Sequence, residues 1–334
     1  MTKTIDVHNH LYPREWIDYV ETRTTSPTMK WTGPTSMVFY SEDVIVAHVD
    51  RAGHYDLNAR IEDLDKYDID TQILSLTIPG VELLPLNEAI VWAKKVNDYF
   101  AEVCHKYPGR FYAYATLPYQ DIDEAMKELD RAYKDLGAKG IMMFSNFNGK
   151  PIASPEFDPI YAKANEYELP ILIHPAPPLT AEAMKKVKIP YQLYGYTLDT
   201  TMAVVSLIFQ GVLEKYPSLN LIHSHLGGVA PYLAERMEDA FRGYAREWGI
   251  ELSKTPSEYY KRQVYPDSIN YHMPALKCCL EWVGADRICF GTDYAHRVGR
   301  PEQGVAMIRE LGLSAEDTDK ILGGNAVRLF KLDR

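Results

Sequence analysis

The sequence predicts an α/β protein, specifically a (β/α)8 TIM barrel with a small insertion after the first strand. Three observations support this. Short apolar runs alternate with amphipathic helical stretches, the pattern of a parallel sheet. Eight such runs fit into 334 residues, enough for one barrel domain spanning 1–334. Residues suited to metal binding stand at the ends of several runs, the rim where barrel active sites lie.

The runs in order are "TIDVHNHL", "DIDTQILSLT", "RFYAYATLP", "AKGIMMFSN", "LPILIHPA", "LNLIHSHLG", a weaker "QVYPDSIN" and "DRICFGTDY". Helical patterns such as "NEAIVWAKKVNDYFAEVCHKY", "IDEAMKELDRAYKDLG" and "FDPIYAKANEYE" lie between them. The stretch at about 12–56, rich in Thr, Ser and Pro, breaks this rhythm and is the expected insertion, capping the barrel mouth.

Composition narrows the function. Hydrophobic residues make up 46%, and 36 basic against 46 acidic side chains leave a net charge of −10 with no basic run. Nucleic acid and anionic membranes are therefore unsuitable partners. No apolar run is long enough to span a bilayer, and the N-terminus carries no signal-peptide pattern. Cys104, Cys278, Cys279 and Cys289 form no C-x-x-C pair, which points to a reduced, cytoplasmic setting.

In an extended strand alternate side chains share a face, so Asp6, His8 and His10 point the same way. Buried polar groups need partners, and a cation shared with other strand ends would supply one. "LPILIHPA" ends in His174, "LNLIHSHLG" in His223 and His225, and "DRICFGTDY" in Asp293. Any one of these histidines could be a hydrogen-bonded core residue; the set at correctly ordered strand ends points to one divalent ion, zinc first and manganese as the alternative. The fourth run ends in Phe144, Ser145 and Asn146, none able to bridge a second ion. His225, nearest the rim, is the candidate acid/base, because imidazole titrates near neutrality. His223 and Asp6 are read as structural, His296 as pocket-lining, and His272 stays undecided. His48, His54 and His105 have no distinguishing placement.

The motifs "DVHNH", "LPILIHP", "GVLEKYPSLNLIHSHLGG" and "RICFGTDY", with "ARIEDLDKYDIDTQILSLT" and "GGNAVRLFKL", cover nearly the whole chain. In order and spacing they resemble the amidohydrolase superfamily (amidohydrolase-related family 2), in the branch of 2-amino-3-carboxymuconate-6-semialdehyde decarboxylase and the resorcylate and carboxyvanillate decarboxylases. That resemblance implies His8, His10, His174 and Asp293 as metal ligands, His225 and Asp293 as catalytic, and Arg51 as the residue that holds a substrate carboxylate. Two positions depart from the branch. "GTDYAHR" puts His296 where relatives keep a phenylalanine, and Tyr244, flanked by Arg242 and Arg246, falls where relatives send an arginine from a neighbouring subunit. The resemblance implies a homodimer or larger homo-oligomer acting on a small carboxylic acid. The expected activity is metal-dependent, cofactor-free decarboxylation of an unsaturated or aromatic acid; the alternative is metal-dependent hydrolysis of an ester, lactone, amide or carbon–carbon bond at the same site.

Overall fold

Seven parallel strands form one sheet in which chain order is also spatial order. They are β1 (Ile5–His10), β2 (Thr71–Ser75), β3 (Phe111–Ala115), β4 (Gly140–Phe144), β5 (Ile171–His174), β6 (Leu221–His223) and β7 (Val264–Pro266). The computed structural model describes residues 3–332, so residues 1, 2, 333 and 334 of the expected span lie outside it. Every neighbouring pair runs parallel, with Ile171, for example, opposite both Ile141 and Leu221. Strand residues are buried on both faces, as expected where helices cover one face and a packed interior the other.

The crossovers are amphipathic helices. On Leu86–Lys106 the buried residues Ala89, Trp92, Ala93, Val96, Phe100 and Val103 recur every three or four positions, forming one apolar stripe. Each fully buried large apolar side chain there contributes about 1.5–3 kcal/mol. Asp121 caps Ile122–Lys134 by accepting the Glu124 N–H, and Asp56 caps Leu57–Lys66 through the N–H groups of Asn58 and Ala59.

The sheet curls, and residues 289–294 contact both of its edges. The Val7 N–H donates to Phe290 O at 3.0 Å and the His10 N–H to Tyr294 O at 2.6 Å, while the Cys289 N–H donates to Pro266 O at 3.0 Å. "DRICFGTDY" was expected as a regular eighth strand; this segment instead forms only isolated bridges, Asn9 with Tyr294 and Asp267 with Cys289. Two local features account for the irregularity. Asp293 adopts a left-handed backbone, φ 57°, and Gly291 sits so close to β1 that a Cβ would lie 3.2 Å from that of His8.

Between β1 and β2 the chain forms a helix, Arg14–Glu21, and an antiparallel sheet of Thr28–Trp31, Met37–Ser41 and Val44–Val49. Val49 bridges His296, so this sheet rests beside the segment that follows Asp293. Among the described residues no helix is long and apolar enough to cross a membrane.

Candidate metal centre

His8, His10, His174 and Asp293 converge at the C-terminal ends of β1 and β5 and on the bridging segment. One ligand atom from each lies within 4.8 Å of the others, and all four residues are buried. The imidazoles crowd together, with ring centroids 5.0 Å apart for His8 and His10 and 4.7 Å for His10 and His174.

Hydrogen bonds fix which nitrogen of each ring faces the centre. The Ser75 hydroxyl gives its proton to Asn9 O at 2.7 Å, so it accepts from His10 Nδ1 at 2.9 Å. His174 Nδ1 meets the carbonyl of Pro175 at 3.0 Å, and His8 Nδ1 meets Asp267 Oδ2 at 2.6 Å. Carbonyls and carboxylates only accept, so all three rings carry the proton on Nδ1 and leave Nε2 bare. Nε2 of His8 and of His10 and Oδ1 of Asp293 are buried without a hydrogen-bond partner. His10 Nε2 is only 3.2 Å from Asp293 Oδ1, but without the alignment of a hydrogen bond. Two buried bare ring nitrogens and a carboxylate oxygen left unsatisfied would be costly alone. The set fits one divalent cation and no other common partner.

Charge follows this geometry. Burial disfavours charge on His10 and His174 and holds both well below the ordinary imidazole value, their neighbouring rings adding to the effect. Burial opposes charge on His8 too, but the Asp267 carboxylate, together with those of Asp293 and Asp6, outweighs it and raises the pKa. Burial pushes Asp293 up, yet the imidazoles of His10 and His225 bring it well below the usual carboxylate range.

His225 stands beside this set, with Nε2 3.7 Å from Asp293 Oδ2. Simple strand alternation does not put it there. β6 ends at His223, and His225 and Leu226 both take left-handed backbones, φ 56° and 59°. Asp267 holds that turn, accepting the N–H groups of His225 and Leu226 at 3.0 and 2.9 Å. His223 is fully buried with Nδ1 on the Tyr260 hydroxyl at 2.9 Å, and burial drives its pKa down to about 3. Asp6 joins β1 to the bridging segment through Thr292 and to β2 through Gln72. Burial pushes its pKa up to about 6, against those hydrogen bonds.

His296 lies next to the ligands, its ring 4.8 Å from that of His10 and its Nε2 3.3 Å from Thr77 Oγ1. Arg51 is half-buried; its guanidinium donates to Gly299 O at 3.2 Å and lies 3.7 Å from Glu302. Arg242 is engaged by Glu235 and Asp239, and Tyr244 is exposed. His272 and His105 are exposed, and His48 is half-buried in the antiparallel sheet. Ser145 and Asn146, beyond β4, both bind the buried Asp199.

Sequence reasoning passed over three residues. Asp267 follows β7 as directly as Asp293 follows "CFGT", so the strand-end rule would have reached it had "QVYPDSIN" been weighted as a full strand. Arg60 is fully buried, and its guanidinium binds the carbonyls of His10 and Gly53 and the side chains of Asn9 and Gln72. His54, also fully buried, packs its ring 4.8 Å from that of His296. Nothing in the sequence marks either one.

Known proteins share this arrangement of elements. The chain is 29% identical over 341 residues to 2-amino-3-carboxymuconate-6-semialdehyde decarboxylase of Dictyostelium discoideum, covering 98% of this chain and 92% of that protein. It is 29% identical to gamma-resorcylate decarboxylase of a Rhizobium species, covering 83% and 87%. The crystal structure of 5-carboxyvanillate decarboxylase from Novosphingobium aromaticivorans, complexed with manganese and 4-hydroxy-3-methoxy-5-nitrobenzoic acid, superposes with a TM-score of 0.86 at 29% identity, covering 99% and 96% of the two chains. The amidohydrolase family model matches residues 5–332. With that match running through every strand and all four converging ligands, the chain belongs to the amidohydrolase family.

Proposed function

We propose that this chain is a metal-dependent, cofactor-free decarboxylase of an aromatic or unsaturated carboxylic acid. The observation that carries the reading is the division of Asp293, with one oxygen toward the histidine set and the other toward His225. Relatives named as decarboxylases of such acids, one crystallised with manganese and a nitrobenzoic acid, support it.

His8, His10, His174 and Asp293 would hold the ion. When bound, a divalent ion supplies Lewis-acid polarisation of a substrate oxygen. His225 delivers a proton to the carbon bearing the carboxylate, while Asp293, beside its Nε2, orients the imidazole. The carbon–carbon bond then breaks, its electron pair returns to the ring, carbon dioxide leaves, and the new C–H bond remains. Arg51 would orient a carboxylate from the mouth, where a guanidinium fork can make two parallel hydrogen bonds. His296 would line the pocket in place of an apolar side chain, favouring a substrate with a polar substituent.

The fold is read in the same terms. Residues 288–294 take the eighth position of a (β/α)8 barrel, residues at about 12–56 form an insertion at its mouth, and the whole is one domain. A homodimer or larger assembly in a reduced, cytoplasmic setting accords with the branch and with four free cysteines.

The test is a panel of hydroxybenzoic and unsaturated acids beside matched esters and lactones, with manganese or zinc supplied. Carbon dioxide formed in a one-to-one ratio with decarboxylated product supports the reading. Turnover of esters alone, with two condensed products and no gas, replaces it with the hydrolase.

A further inference from the structure

We propose that Asp267 is a positioning residue that couples occupancy of the metal centre to the placement of His225. The inference rests on the reading of that centre given above. Asp267 is fully buried and all its acceptor capacity is used. Its Oδ2 takes His8 Nδ1–H at 2.6 Å and the His225 N–H at 3.0 Å; its Oδ1 takes the N–H groups of Leu226 and Ile269, both at 2.9 Å. A single oxygen thus holds a metal-ligand ring and the backbone of the candidate proton donor.

The turn it holds does not favour itself. His225 and Leu226 are consecutive non-glycine residues in the left-handed region, a conformation in which Cβ crowds the following carbonyl oxygen. Gly227 and Gly228 continue the turn at φ 72° and 58°. A side chain on Gly228 would meet Thr201 Oγ1 at 2.3 Å and the Thr197 carbonyl at 2.5 Å, so this stretch is pressed against its surroundings. The turn keeps its shape because Asp267 gathers its N–H groups, and Asp267 is fixed in turn by His8. When the His8 Nε2 lone pair is given to a cation, the Nδ1–H becomes a stronger donor and its bond to the carboxylate tightens. When that lone pair is not engaged, the Nδ1–H is a weaker donor and its hold on Oδ2 loosens.

The four donors also make asparagine a sharp probe. Its amide presents one oxygen and one NH2 group. In either orientation the NH2 faces two donors, His8 and His225 on one side or Leu226 and Ile269 on the other. No rotamer of Asp267→Asn satisfies the site.

The experiment is hydrogen–deuterium exchange of the segment 223–230 in wild type loaded with Mn2+, in wild type stripped by chelator, and in Asp267→Asn reloaded with Mn2+, alongside metal content and kcat at saturating Mn2+. Stripping should remove protection from the His225 and Leu226 amides while leaving the Leu86–Lys106 helix unchanged. Reloaded Asp267→Asn should exchange like stripped wild type and lose about 10–100-fold in kcat, the usual effect of losing a group that orients a metal ligand. Equal protection of 223–230 with and without metal overturns the proposal, as does a reloaded variant with wild-type kcat. The wild-type comparison decides the matter even if the variant does not fold. It also needs no substrate, so a protein that decarboxylates nothing would overturn the functional reading without touching this one.

Discussion

Asp293 Oδ2 lies 3.7 Å from His225 Nε2, and the other oxygen of the same carboxylate lies 3.2 Å from His10 Nε2. In the proposed reaction the residue that would complete the ligand set would thus also orient the candidate proton donor. Loss of Asp293 should therefore damage metal binding and proton delivery together, while loss of His225 should damage only the second.

His225→Asn should keep its metal and lose turnover by about 10²–10⁴-fold, the range for general acid/base help. Metal analysis beside kcat separates the two effects. If the variant turns over like wild type, another group moves the proton.

Metal content should be close to one ion per chain and fall sharply in His174→Ala and Asp293→Ala. It should also fall on acidification, because ligand rings must be unprotonated to bind. The Asp267 carboxylate raises the His8 pKa, so protons compete for that ring at a higher pH than for an ordinary imidazole. Metal titrations between pH 5 and 8 check this. An affinity independent of pH across that window would contradict it.

The four residues that converge could be placed at strand ends from the sequence, because strand ends and alternation are local properties; singling them out as ligands from the larger strand-end set rested on the family resemblance. His8 and His10 share a face by period two, and "IHP" and "GTD" close apolar runs. The conformation of His225 was not legible. Its left-handed backbone donates to a carboxylate 42 positions along the chain, a contact that no local pattern records. Arg60 was hidden for a related reason: a guanidinium on a charged helix reads as solvated, and only the fold brings the carbonyls of His10 and Gly53 to it.

His223 should behave as a structural residue with a defined pH signature. Burial lowers its folded pKa to about 3, against about 6.5 in an unfolded chain. Below pH 6.5 the unfolded state takes up a proton that the folded state refuses, so this residue contributes stability at neutral pH that is lost as pH falls. Between pH 6.5 and 5 the loss is about 2 kcal/mol. His223→Gln should be less stable than wild type at pH 7 but lose less on going to pH 5, as read from denaturant midpoints. An equal acid loss in both proteins would contradict the assignment.

Arg51 tests whether the substrate is an acid. Lysine keeps the charge but not the fork, so Arg51→Lys and Arg51→Ala should both lower kcat/KM on acidic substrates. Charged hydrogen bonds contribute roughly 1.5–3 kcal/mol, or about one to two decades. Neutral esters should be indifferent. Equal loss on both substrate types would mean that the contacts with Gly299 and Glu302 are its whole role.

In the proposed reaction a proton replaces a carboxylate on carbon, and product formed in D2O reads this directly. With metal-loaded wild type and a reactive acid, mass spectrometry should find one deuterium, bound at the carbon that carried the carboxylate, for each carbon dioxide released. That incorporation should disappear with turnover in His174→Ala. Product without carbon-bound deuterium, or undiminished turnover in His174→Ala, would rule out metal-dependent decarboxylation at this site.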